Sequence, residues 1–155
     1  MVLSELLTPP LIASELRAHT RNDAVRELAA MLASEQPSLD ADDIVRVVLE
    51  REALASTGIG EGIAIPHGSL SGAKELVGAM GRSQAGIDFQ SVDGRPAHLI
   101  FLLVVPRNQP GVHLKTLANI TRVLKSEEYR SALLAARGQA GILSALRAAE
   151  AALAS

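Results

Sequence analysis

Hydrophobic and polar positions recur along this chain with two different periods, and the changes of period mark out its elements. Leu99 to Val105 is apolar without a break, which predicts a central strand covered on both faces and stopped by Pro106. Upstream, Thr20 with Asp23 three positions on has the spacing of a helix N-cap. Val25, Leu28, Met31 and Leu32 then recur at helical spacing as far as Ser34. Gln36-Pro37-Ser38 breaks that helix, and Asp40 caps a second one whose buried stripe is Ile44, Val47 and Val48. Leu76 to Arg82 reads as a strand, Ile87 with Phe89 as a further strand segment, and Asp93-Gly94 as a turn. Pro110 suits a first helical turn, after which Leu114, Leu117, Ile120 and Leu124 form an inward stripe. Ser126 with Glu127 and Glu128 opens another helix to about Ala136, and Gly141 to Leu153 makes a last, alanine-rich one. Ser4 to Ala18, apolar and interrupted by Pro9-Pro10, fits a turn followed by a short strand or helix. Strands interleaved with helices, with no repeat or linker, predict one α/β domain over residues 1–155: a sheet of about five strands flanked by helices on both faces.

The stretch from Thr57 to Gly68 stands apart from this pattern. Gly58, Gly60 and Gly62 let the backbone turn sharply or let another group come close. Ile63-Ala64-Ile65 is a short buried run, and Pro66, with fixed φ and no amide hydrogen, is expected to stop it. His67 then sits just past a strand end, followed by a glycine that leaves space beside it. The stripe of the preceding helix, continued one turn, reaches Arg51, within about 20° of the face of Ile44. Two readings of Arg51 stand side by side: a side chain that snorkels and favours the helix C-terminus, or an anion-binding group aimed at the glycine-rich loop.

Of the four histidines, His19 reads as a solvated side chain and His98 as a strand residue in polar company. His113 falls in the first turn of a helix that follows a buried strand, where free amide hydrogens favour an anion. If the strands leading to His67 and Pro106 are neighbours, His67, His113 and Arg51 share one crevice at their carboxyl ends. Two imidazoles and a guanidinium suit a phosphoryl group: one imidazole nitrogen attacks phosphorus while the others hold oxygens. Other chemistries fit less well. The glycine spacing is not the dinucleotide fingerprint, no P-loop lysine follows, a zinc site lacks a third ligand, and no Gly-x-Ser-x-Gly elbow occurs.

Composition narrows the field further. With 15 basic and 17 acidic residues, no basic run and 2% aromatics, nucleic acid is not an expected partner. The absence of cysteine excludes disulfides, thiolate metal sites and cysteine nucleophiles. The longest apolar run is too short to span a bilayer, so the expected protein is cytoplasmic, without direct membrane insertion, and needs no cofactor or metal.

Arg51-Glu52, Ser56 to Gly60, Gly62 to His67, and His113-Leu114 with Leu117 resemble the IIA domain of the mannitol/fructose class of the bacterial phosphoenolpyruvate:sugar phosphotransferase system. The resemblance runs from about Leu6 to Leu146 and includes Phe89, Asp93-Gly94, Pro96 and the strand end Leu102 to Pro106. It implies a mixed sheet flanked by helices and a phosphocarrier activity. His67 would match the phosphorylated histidine, Arg51 and His113 the residues lining it, and the donor would be HPr or its nitrogen-branch relative. Pro66-His67-Gly68-x-Leu70 looks more like the nitrogen-regulatory members, whose partners are regulated target proteins. The sugar-specific alternative passes phosphate to a cysteine of a IIB domain. Glu61, Ser69 and His98 depart from the family's pattern, and a carboxylate at Glu61 would repel a phosphohistidine unless it points away.

Overall fold

The structure, a computed structural model, describes residues 3–108 and 112–154, and of residues 112, 113 and 154 the backbone alone. Its centre is strand β6 (Ala97–Pro106). Side chains alternate along it: Ile100, Leu102 and Val104 enter one core, and Leu99, Phe101, Leu103 and Val105 enter the other. The uninterrupted apolar run is therefore a strand buried on both faces, as expected.

Helices α2 (Arg21–Glu35) and α3 (Ala41–Leu54) cover the first face. Each begins at the cap its sequence announces. Thr20 Oγ1 accepts from the Asp23 amide at 3.2 Å, and Asp40 Oδ1 accepts from the Asp42 amide at 2.8 Å and the Asp43 amide at 3.4 Å. The second face is covered by the short α1 (Leu3–Leu6) and by α4 (Val112–Leu124), α5 (Glu127–Ala135) and α6 (Gly138–Ala154). On α4 the inward residues are Ile120, Val123 and Leu124, with Leu117 partly buried and Thr116 also covered. Leu114, expected inward, is 61% exposed. It lies about 120° around the helix from the centre of that face.

Among the described residues the sheet is mixed and has six strands, β1 (Ile12–Ala13), β2 (Gly58–Gly60), β3 (Ile63–Ala64), β4 (His67–Leu70), β5 (Val77–Ile87) and β6. Their order is β1-β5-β6-β3-β2, with β4 also on β6. Strand β5 runs antiparallel to β6 and carries the segment expected at 76–82 on to Ile87; Phe89, expected in a further strand segment, lies beyond its end, buried in the core. The undecided N-terminal stretch supplies α1, a 3₁₀ turn at Pro9–Leu11 and the edge strand β1.

One expectation is corrected at Pro66. The strand does not stop there; it breaks and resumes. Strand β3 pairs in parallel with Leu99 and Ile100, and β4 pairs in parallel with Leu103 to Pro106. Between them the Leu103 amide still donates to Pro66 O at 3.0 Å. Proline cannot donate, but its carbonyl keeps the two halves on one partner strand. His67 is thus the first residue of a strand rather than a residue past the end of one.

Helix α3 lies against β4 at Gly68. A Cβ on Gly68 would stand 2.8 Å from Val47 Cγ2 and 3.1 Å from backbone atoms of Val47 and Val48. Gly68→Ala must push the helix away from the strand, and we expect it to lower stability by about 1–3 kcal/mol. Urea unfolding should report this as a lower midpoint at unchanged slope.

Candidate functional site

The contact at Gly68 fixes what stands beside His67. Arg51 is one helical turn beyond Val47, so the helix that touches the strand at Gly68 carries Arg51 to the strand's first residue. Arg51, Leu54, His67, Ser69, Val105 and Arg107 border a cleft of roughly 440 Å³. The Arg51 Nη1 donates to Ala55 O at 2.8 Å, at the C-terminal end of its own helix. The arginine therefore caps a helix end and also borders the histidine's cleft.

His67 is half-buried, and its Nδ1 donates to Ile65 O at 2.9 Å. A carbonyl oxygen can only accept, so Nδ1 carries the hydrogen and the lone pair of the neutral ring is on Nε2. Gly68 and Leu70 face α3, and alternation sends His67 and Ser69 to the other side of the sheet. That is the side on which α4 packs. His113 stands in the first turn of α4, which begins at Val112. Its side chain lies outside the described residues, as do Pro110 and Gly111.

The glycine-rich stretch is elsewhere. It forms the hairpin β2–β3, paired antiparallel, with Glu61-Gly62 at its tip. Gly60 (φ 94°), Glu61 (φ 58°) and Gly62 (φ 81°) take the left-handed conformations that a tight hairpin turn needs. The tip is tied down by the Glu61 amide donating to Asp93 Oδ2 at 2.8 Å and by an Arg130–Glu61 ion pair at 2.8 Å. The amides of Glu61 and Arg95 hold the Asp93 carboxyl below its ordinary value. Strand β3 starts opposite Leu99 and β4 opposite Leu103, so the tip is directed away from the histidine. Arg51 shares its cleft with His67 and Gly68, at the far end of the Thr57 to Gly68 stretch, and Glu61 points to Arg130.

The remaining histidines stay out of the cleft. His19 is exposed, and His98 Nδ1 donates to Ser83 O at 2.9 Å beside a separate cavity bordered by Glu15 and Arg82. Among the described residues no group of three or more His, Cys, Asp or Glu could hold a metal ion, and no helix is long and apolar enough to cross a membrane.

Two charged residues at this end of the fold, Glu52 and Arg107, have no part in the chemistry that motif and spacing suggest. Glu52 follows Arg51 and is buried, its side chain only 1% exposed. Its Oε1 accepts from the Thr57 amide at 3.1 Å and from the Thr57 hydroxyl, tying the end of α3 to the start of the hairpin. Its Oε2 accepts no hydrogen bond and has an ion pair with Arg21 at 3.7 Å. Burial lifts the Glu52 carboxyl above the ordinary glutamate value; the Thr57 amide, Arg21 and Arg51 pull it down without cancelling that rise. Helical spacing places Glu52 at i+4 from Val48, which was the available signal. For Arg107 the signal was the alternation of β6 carried one step past Pro106.

Residues 5–149 match the family described as the phosphoenolpyruvate-dependent sugar phosphotransferase system, EIIA 2. The chain belongs to this family. It is 37% identical over 146 residues to a nitrogen regulatory protein of Bradyrhizobium diazoefficiens, covering 94% of this chain and 95% of that one. The crystal structure of the nitrogen regulatory protein IIA-Ntr from Neisseria meningitidis superposes with a TM-score of 0.87 at 31% identity, covering 93% and 98% of the two chains. A fructose-specific EIIABC component of Bacillus subtilis is 34% identical across 92% of this chain, which spans 22% of that longer protein. As a IIA domain, the chain is a phosphotransferase component that acts with partner proteins.

The buried carboxylate of this IIA domain gives a pH signature. The folded chain holds the Glu52 proton more tightly than the unfolded chain does, so the group costs stability as pH rises from the ordinary glutamate range through its folded pKa. Glu52→Gln retains an acceptor for the Thr57 amide and carries no charge. Its stability relative to the parent should therefore increase between about pH 4 and about pH 7, measured by urea unfolding at both. A difference constant across that range would mean the carboxyl is not raised.

Proposed function

We propose that this chain is a cytoplasmic phosphocarrier with a regulatory output, accepting a phosphoryl group on Nε2 of His67 from the phosphohistidine of HPr or its nitrogen-branch relative. The observation that carries the reading is the pairing of a tautomer-fixed His67 with Arg51 across one cleft. In the transfer, the Nε2 lone pair forms the new N–P bond. The donor's N–P bond breaks, and its electron pair returns to the donor imidazole. Positive charge that develops on the His67 ring is shared with Nδ1–H, which points at Ile65 O. Arg51 offers the remaining N–H groups of its fork to the equatorial oxygens, and His113 is assigned as a third phosphate-binding group from the first turn of α4. Positioning and charge neutralisation are most of what such a transfer requires.

The regulatory output rests on the nitrogen regulatory relatives, which match almost end to end. Regulated target proteins would then read the phosphorylation state directly. The second reading, a fructose- or mannitol-type sugar step with a IIB cysteine as acceptor, is favoured by the match to the EIIABC component.

Incubation with phosphoenolpyruvate, enzyme I and an HPr-type carrier should give a single acid-labile phosphoryl adduct by intact mass. His67→Ala should give none, and adduct on that variant would show that another residue is the acceptor. Arg51→Ala should slow transfer about a hundredfold while losing only the modest stability of one helix-end contact, below about 1 kcal/mol. Loss of the fold together with the activity would instead assign Arg51 to structure. Adding a IIB domain should leave the adduct in place; rapid drainage onto its cysteine would favour the sugar reading.

A further inference from the structure

The cleft holds a second guanidinium. Arg107 follows the last residue of β6, borders the same cleft as His67 and Arg51, and is exposed. Among the described residues no carboxylate pairs with it. Its backbone is nonetheless anchored, since the Arg107 amide donates to Leu70 O at 3.3 Å. The cleft's bordering carboxylate, Glu50, is engaged by Arg46 at 3.7 Å.

Register and alternation set what Arg107 faces. Leu103 and Val105 pack into the core on the α4 side, and position 107 continues that series. Across the parallel ladder, His67 pairs with Leu103 and Ser69 with Val105. His67 and Ser69 therefore project on the same side as Arg107. Successive same-side positions are about 6.6 Å apart, so Arg107 stands about 13 Å along the strands from His67. The residue between them is Ser69, small and exposed. A group bonded to Nε2 lengthens the histidine into a space bordered by Arg51 on the helix side and by Arg107 at the strand end.

We propose that Arg107 is a second phosphoryl-binding guanidinium of this chain, and that Ser69 is small because it leaves the room across which Arg107 meets the group on His67. This rests on the phosphohistidine reading above. Arg51 and Arg107 approach from different elements, α3 and the end of β6. Together they engage different oxygens of a group that carries about two negative charges.

Phosphoramidate, a small donor with no protein surface, separates contact with the phosphoryl group from contact with a carrier. With the full chain and intact-mass readout, Arg107→Ala should slow labelling by phosphoramidate about tenfold at an unchanged melting temperature. Arg107→Lys should recover only part of the rate, since an ammonium lacks the planar fork. Ser69→Leu, which fills the intervening space, should slow labelling without unfolding the chain. A parental rate for Arg107→Ala with phosphoramidate overturns the proposal, and a defect seen only with the protein donor would make Arg107 a carrier-docking residue. Failure of the underlying reading looks different: His67→Ala would still be labelled.

Discussion

The close approach of α3 to β4 is the constraint on which the site depends. Where Gly68 has no side chain, the backbone of Val47 and Val48 stands within 3.1 Å of where a Cβ would be. A helix seated that deeply has its next turn fixed in position and azimuth. Arg51 follows by geometry, Glu52 is carried into the interior beside it, and Leu54 is left 83% exposed at the cleft's rim. Glu52 then sets where the chain goes next, because its Oε1 takes both the amide and the hydroxyl of Thr57. Burying that carboxylate costs desolvation that one ion pair at 3.7 Å only partly offsets. Removing its partners would leave the end of α3 and the root of the hairpin uncoupled.

The broken strand is the second device. A continuous strand alongside β6 would have carried an ordinary ladder residue at position 67. Pro66 interrupts the run yet keeps its carbonyl on the Leu103 amide, so β3 and β4 stay on one partner. The Ile65 carbonyl takes the hydrogen of His67 Nδ1. The local chain thereby chooses the tautomer of the ring before any partner arrives, and this pre-organisation comes from backbone atoms that no side-chain substitution removes.

Much of this was legible in the sequence because it depends on local rules. The caps at Thr20 and Asp40, the stripe ending in Arg51 and the two-faced strand β6 each follow from spacing over fewer than about ten residues. The same local rules misread three places. Pro66 reads as a stop because proline removes a donor, but a parallel neighbour that needs an acceptor tolerates it. The glycine-rich stretch follows Arg51 closely in sequence, which makes it a candidate target for that side chain. In the fold it is a hairpin whose tip is directed elsewhere, held by Asp93 and Arg130 from distant parts of the chain. The hydrophobicity of Leu114 suggests an inward position, but the helix's buried centre is set by Ile120 and Val123. Arg107 and Glu52 took their roles from tertiary placement. One needs the parallel register of β4 on β6 to be related to His67, and the other needs the hairpin to fold back for Thr57 to reach it.

These constraints bear on how such a domain could signal. Its histidine sits on a strand paired to a strand buried on both faces, and the adjoining helix is packed against the bare backbone of Gly68. A large rearrangement would have to break both. The charge balance of the cleft is easier to change: two guanidiniums border it, and its carboxylate Glu50 is already engaged by Arg46. On the proposed function, a phosphoryl group of about −1.5 to −2 charge reverses a locally positive field. Its effect would extend over roughly 8 Å at physiological ionic strength, and the exposed Leu54 borders the same cleft. A partner seated against that apolar rim would meet opposite electrostatics in the two states over the same surface shape. The rigidity that positions the histidine thus favours a readout by charge over one by shape.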